Sequence, residues 1–201
     1  MTTNRMLGTV ATLLLWISLA SPASAQQGEW IWDFQYSTVL GTGDTSDFAG
    51  DSSWRGLTVD VQRVVRPGLT VGLQSGWHVM DEETSGTTQI PGGAITGTAF
   101  RYINSVPLLL TGDYNFQPGG AFQPFVGAGL GTYWIENRTE VGVFAIDESN
   151  WHFGLMGEAG LAWVRPGGAA FTLTGRYNWA FESNGVERPY WTFSVGYRVG
   201  V

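Results

Sequence analysis

The sequence predicts an all-β fold, an eight-stranded antiparallel up-and-down transmembrane β-barrel, on three observations. Apolar and polar residues alternate with period two through most of the chain. Turns built on Pro67, Pro118 and Pro166 recur at near-even spacing. Charged residues make up only 13% of the 201 residues, while the chain holds 10 Trp, 11 Phe and 7 Tyr; an ordinary soluble domain carries roughly 25% charge.

Residues 1–25 have the parts of a secretory signal peptide. Arg5 and the amino terminus supply positive charge, Met6 to Ala20 is an apolar run, and Ala23-Ser24-Ala25 is an A-x-A cleavage site. The run falls short of the roughly 20 apolar residues of a membrane-spanning helix. Cleavage is expected near Ala25, leaving residues 26–201 as one barrel domain.

Successive side chains of a strand point to opposite faces, so each alternating run is a strand with two different surroundings. In the first, Trp30, Trp32, Phe34 and Tyr36 alternate with Ile31, Asp33, Gln35 and Ser37. In the second, Leu57, Val59 and Val61 alternate with Thr58, Asp60 and Gln62. The third sets Val71, Leu73, Trp77 and Val79 against Gly72, Gln74, Gly76 and His78, with a lapse at Ser75. The fourth places Val106, Leu108 and Leu110 opposite Ser105, Pro107, Leu109, Thr111 and Asp113. The fifth sets Val126, Ala128, Leu130 and Trp134 against Gly127, Gly129, Gly131 and Tyr133. The sixth alternates Trp151, Phe153, Leu155, Leu161 and Trp163 with His152, Gly154, Met156, Glu158 and Gly160. The seventh pairs Phe171, Leu173, Tyr177 and Trp179 with Thr172, Thr174, Arg176 and Asn178. The last runs from Trp191 through Phe193, Val195, Tyr197 and Val199 to Val201, against Thr192, Ser194, Gly196, Arg198 and Gly200.

The connections alternate as well. Arg66-Pro67-Gly68, Gln117-Pro118-Gly119-Gly120 and Arg165-Pro166-Gly167-Gly168 are short turns, with Pro presetting φ and Gly accepting positive φ. The other four connections, Leu40 to Ser53, Asp81 to Ala99, Arg138 to Asn150 and Phe181 to Arg188, are expected as long polar loops at the opposite end. They are acidic, with Asp44, Asp47, Asp81, Glu82, Glu140, Asp147, Glu148, Glu182 and Glu187 among their residues, whereas Arg63, Arg66 and Arg165 gather at the short-turn end.

Which face is apolar decides between a soluble and a membrane barrel. The polar rows carry mid-strand charges of both signs, Asp33, Asp60, Asp113, Glu158, Arg176 and Arg198, set among glycines as a crowded interior requires. Aromatic residues sit near strand ends, where amphipathic rings suit the two bilayer interfaces. Trp30, Trp32, Trp77, Trp134, Trp151, Trp163, Trp179, Trp191 and Tyr197 form the expected girdle. The apolar rows are therefore expected to face lipid. An eight-stranded lumen is just wide enough for side chains to fill it, and buried charges need partners. Arg176 and Arg198 are on the last two strands, Glu158 is on the strand before them, and Asp33 is on the strand that must close against the last. These four are expected to form an interior ion-pair network.

The signal peptide, the Val106-Pro107-Leu108-Leu109-Leu110 strand, the Pro124-to-Gly131 strand PFVGAGLG and the alternating last strand resemble bacterial outer-membrane eight-stranded barrels of the OmpA, OmpW and opacity-protein kind. The resemblance covers the whole chain after the signal peptide. The last strand resembles the family's carboxy-terminal assembly signal, with Val201 where Phe or Trp is usual. The resemblance implies the outer membrane of a Gram-negative bacterium, periplasmic short turns and extracellular long loops. Implied partners are outer-membrane lipid, lipopolysaccharide and, during biogenesis, the barrel-assembly machinery. A monomer is expected.

The same residues narrow the chemistry. There is no Cys, hence no disulfide and no thiolate chemistry. Ten basic residues against 17 acidic ones, a formal charge of -7, do not suit nucleic acid. The loop acids show no Ca²⁺-loop spacing, and neither metal nor cofactor is expected. His78 and His152 lie on the polar rows near the long-loop end, with Asp147, Glu148 and Ser149 nearby in sequence. Some barrels of this size hydrolyse or transfer acyl chains of lipid A, but no local motif of such enzymes is present, and no enzyme is expected. Gly127-Ala128-Gly129-Leu130-Gly131 precedes no helix and fails as a nucleotide loop; its glycines are expected to leave room for Tyr133 or Arg side chains. The leading expectation is a non-enzymatic, structural or surface-interaction barrel. The alternative is a small OmpW-like transporter of hydrophobic solutes, for which Leu109, Phe125 and Met156 on the inward row speak. A lipid-A-modifying enzyme comes third.

Overall fold

A computed structural model describes residues 28–90, 93–141 and 144–200. The expected signal peptide, residues 1–25, lies outside them, as does Val201. Eight antiparallel strands follow one another as a meander: β1 (Trp30–Gly41), β2 (Ser53–Arg66), β3 (Leu69–Ile90), β4 (Gly93–Asn115), β5 (Phe122–Val141), β6 (Phe144–Val164), β7 (Ala170–Ser183) and β8 (Val186–Gly200). The barrel closes through β1 against β8, with Asp33 opposite Arg198 and Phe34 opposite Tyr197. Closure removes both sheet edges. The one break in the β3–β4 ladder, between Ser75↔Leu108 and His78↔Ser105, falls at Pro107, which has no N–H to donate.

The three short turns stand where the proline–glycine signals put them. Gly68, Gly119, Gly167 and Gly168 all take positive φ. At the other end the expected loops need correction. The segment from Asp81 to Ala99 is mostly strand, since β3 and β4 stay paired up to Ile90↔Gly93. The segment from Arg138 to Asn150 is strand up to Val141↔Phe144. The connection after Phe181 is a tight turn at Asn184 and Gly185, both at positive φ, the Asn-Gly signature of a two-residue hairpin. Among the described residues, only the first of these connections is a loop, and it carries a short helix, α1 (Asp44–Phe48). Above the membrane-facing part neither strand face has an apolar medium to meet, so ladder hydrogen bonds form without a period-two pattern in the sequence.

The outward rows form one belt. Leu73, Leu110, Leu130, Leu173 and Val195 are exposed at its middle. Trp30, Trp32 and Trp163 project at the short-turn end, and Trp77, Trp151, Trp179 and Trp191 at the other. Trp134 and Tyr197 also face outward, but half-buried among neighbours. Rings pack along the belt, Trp163 stacked on Phe122 at 6.2 Å and Tyr177 tilted against Trp191 at 5.0 Å. Arg63 and Arg165 lie over Trp30 and Phe171 at 5.8 and 6.0 Å. From Trp151 to Trp163, β6 advances about 40 Å, or about 30 Å along the axis at a tilt of about 40°. That is about the thickness of a bilayer's hydrocarbon core.

Candidate functional site: a filled lumen beneath an outer vestibule

The inward rows build the lumen in layers. The layer toward the short turns is ionic. Arg176 on β7 is fully buried and donates to three strands: from Nε to Glu158 Oε2 at 2.5 Å, from Nη1 to Gln35 Oε1 at 2.7 Å, and from Nη2 to Asp60 Oδ2 at 2.9 Å. Arg198 reaches Asp33 Oδ2 at 3.0 Å and lays its guanidinium 5.1 Å from the Phe125 ring centre. Thr172 donates to the other oxygen of Asp33 at 3.1 Å. Gln62 donates to Asp113. The four residues singled out from the sequence thus meet as two pairs, Arg176 with Glu158 and Arg198 with Asp33. Asp60 and Gln35, outside that set, complete the shell of Arg176.

Asp60 was legible as an inward charge but not as a partner, because β8 and β1 separate its strand from β7 in the wall. The contact exists because the lumen is narrow enough for one Arg side chain to cross. Glycines supply the room. A Cβ on Gly196 would come within 2.5 Å of Gln35 Cγ and Thr172 Oγ1. A Cβ on Gly127 would collide with Asp113 and meet Glu158 Oε1 at 2.9 Å. The space expected for tyrosine or arginine at Gly127 is therefore filled by carboxylates, while the room for Tyr133 comes from Gly154.

The layer toward the vestibule is apolar, and Leu109 and Met156, placed on the inward row from the sequence, belong to it. Val39, Met80, Ile103, Leu109, Tyr133, Ile135, Met156 and Tyr190 form a buried apolar cluster, with Ala49 and Phe48 from the α1 segment against it. Its signal was present in Met80, Ile103 and Ile135, which share the parity of the inward rows. Its polar atoms are partnered: Tyr190 Oη lies 3.0 Å from His78 Nδ1 and 3.1 Å from Ser105 Oγ, and His78 Nε2 lies 2.9 Å from Thr58 Oγ1. Both ring nitrogens of the buried His78 are therefore taken. His152 Nδ1 donates to the carbonyl of Phe181 at 2.8 Å, which leaves it no acid orienter. Among the described residues neither histidine is hydrogen-bonded to a serine or a carboxylate, the contacts on which a nucleophile and base are built. Among the described residues no group of three acids or histidines could hold a metal ion.

A cavity lies at each end. The one at the short turns, about 490 Å³, is bordered by Asp113, Phe125, Arg198 and the turn prolines 67 and 118. The outer vestibule, about 440 Å³, is bordered by Asn137, Glu148, Asn150, His152, Asn184 and Arg188. The packed lumen separates them. α1 sits on the outer mouth, tied by Gly50 N–H to Glu82 Oε2 at 2.8 Å and by Arg188 Nη1 to the Asp44 carbonyl at 3.3 Å.

A closed eight-stranded meander with an apolar exterior and a polar-to-apolar filled interior defines the barrel class found in bacterial outer membranes. The chain is similar in structure to Neisserial surface protein A, with a TM-score of 0.56 at 13% identity over 85% of this chain and 95% of that one. It is also similar to the outer membrane protein OprG from Pseudomonas aeruginosa, with a TM-score of 0.53 at 15% identity over 90% and 98%. Ail, the attachment invasion locus protein of Yersinia pestis, aligns with a TM-score of 0.50 at 12% identity over 86% and 99%. The likeness is one of fold. No protein-family model matches the chain, and no curated protein matches it by sequence.

Proposed function

We propose that the chain is a non-enzymatic barrel of a Gram-negative outer membrane, released from its signal peptide near Ala25, with a structural or surface-interaction role. The observation that carries this reading is the pairing of an apolar belt of bilayer thickness with a lumen that is packed between its two end cavities. Lipid and lipopolysaccharide surround the belt, the proline turns face the periplasm, and the α1 end faces outward. The ion pairs of Arg176 and Arg198 act as structural braces, and the tryptophan bands anchor the barrel at the two interfaces. The barrel works as a monomer. The test is reconstitution into planar bilayers. A scaffold gives no stable single-channel current and no uptake of an alkane-like solute; steady conductance of ions contradicts the reading.

The second reading, passage of hydrophobic solutes, is favoured by one observation, the apolar layer of Met80, Ile103, Leu109, Ile135 and Met156 beneath the outer mouth. Uptake of a hydrophobic solute without ion conductance, abolished by Leu109→Arg, would establish it in place of the scaffold.

A further inference from the structure

The outer vestibule contains a buried cation that no carboxylate touches. Arg188 on β8 is only 6% exposed, yet no Asp or Glu among the described residues forms an ion pair with it. Its Nη1 donates to two main-chain carbonyls, of Asp44 at 3.3 Å and Glu187 at 3.4 Å, and its face lies 5.7 Å from the Phe48 ring centre. Its Nε is buried without a hydrogen-bond partner. The nearest acid that acts on it, Asp44, does so only through space: its carboxylate accepts from Glu187 N–H at 3.4 Å and makes no ion pair with the guanidinium. A desolvated guanidinium that no carboxylate touches is costly, and its donor fork is shaped for a carboxylate or phosphate.

Most of its neighbours in the cavity are neutral hydrogen-bonding groups. Asn137 Oδ1 is buried and also unpartnered. Asn184 donates to Asn150 Oδ1 at 2.8 Å, and Ser183 and His152 complete this wall. Glu148, the one acid bordering the cavity, is exposed at the rim, where salt screens it within about 8 Å. Amides and hydroxyls around one cation suit a hydroxylated anion better than a fatty acid. A cavity of about 440 Å³ lies within the range of about 300–1,000 Å³ typical of small-ligand sites.

We propose that the outer vestibule binds a sugar bearing a carboxylate or phosphate, with Arg188 taking the charge and Asn137 and its neighbours taking the hydroxyls. This goes beyond the scaffold reading and does not rest on it, since binding is measured on the folded barrel whatever its cellular role.

The test is calorimetric titration of the refolded barrel in phosphatidylcholine nanodiscs with glucose 6-phosphate, glucuronate, glucose and inorganic phosphate. The expected result is that at least one of the two anionic sugars binds at least tenfold more tightly than glucose and than inorganic phosphate. Arg188→Gln should weaken it at least tenfold. Asn137→Asp places a carboxylate in the same wall and should weaken it similarly while the folded gel band persists, which guards against loss of fold in the Arg188 variant. No binding of either anionic sugar, equal binding of glucose, equal binding of inorganic phosphate (an adventitious anion site), or unchanged binding by both folded variants would overturn the proposal. Adding lipopolysaccharide to the nanodisc separates the sources of the shared chemistry. Competition with the probe assigns the site to the membrane's own sugars; unchanged affinity assigns it to soluble ones.

Discussion

Arg176 on β7 and Asp60 on β2 meet at 2.9 Å across the lumen, with β8 and β1 between them in the wall. The contact ties opposite sides of the barrel through one side chain. It also joins Asp60 to Glu158, whose own bond to Arg176 runs along neighbouring strands in register, Glu158 opposite Arg176.

Removing one carboxylate from this set leaves a buried guanidinium short of charge. Glu158→Ala should therefore destabilise the folded barrel by about 3–5 kcal/mol, read as a lower urea midpoint in lipid vesicles with an unchanged slope. Arg176→Ala should cost at least as much, because it strands Asp60 and Glu158 together. Wild-type midpoints for both variants would contradict the bracing role.

The tyrosine at the base of the apolar layer gives a smaller effect. Tyr190→Phe keeps the ring and removes the hydroxyl shared by His78 and Ser105. The loss should be about 1–3 kcal/mol, the range for orphaning buried polar partners. Equilibrium unfolding followed by tryptophan fluorescence measures it.

Room at Gly196 is tested by filling it. Gly196→Ala puts a methyl where Gln35 and Thr172 already stand and should cost about 1–3 kcal/mol by overpacking. Gly175→Ala, whose added Cβ would find only the Phe193 ring at 3.6 Å, should be milder, and the ratio of the two midpoints reads the difference.

The outward belt makes a prediction that depends on lipid. Leu173 is 60% exposed at mid-belt. Leu173→Arg should cost about 2–4 kcal/mol in a bilayer. A charge on a water-facing surface would cost almost nothing, so a neutral result in vesicles would place this face in water.

The fold was legible because lipid imposes period two on every strand that crosses it. The rows from Trp30 to Tyr36 and from Trp191 to Tyr197 declare their faces residue by residue, and the prolines at 67, 118 and 166 declare the turns. Beyond the belt that force is absent. The upper halves of β3–β4 and β5–β6 are rich in Thr, Gly and acidic residues without alternation, and only backbone pairing reveals them as strands. The five-residue helix α1 is too short to show a helical period. The lumen was legible in parity but not in partnership. Parity put Asp33, Asp60, Glu158, Arg176 and Arg198 inside, and strand order suggested neighbours. Only closure and lumen width bring Asp60 to Arg176. Arg188 fell in a segment expected as loop, so its burial carried no sequence signal.

Barrel and compartment are tested together by gel migration of the protein taken from an outer-membrane fraction, with and without boiling. The unboiled protein should enrich in that fraction and migrate apart from the boiled form, as a closed barrel that detergent alone does not open. Recovery of the folded chain in the soluble periplasmic fraction, or identical migration before and after boiling, would contradict it.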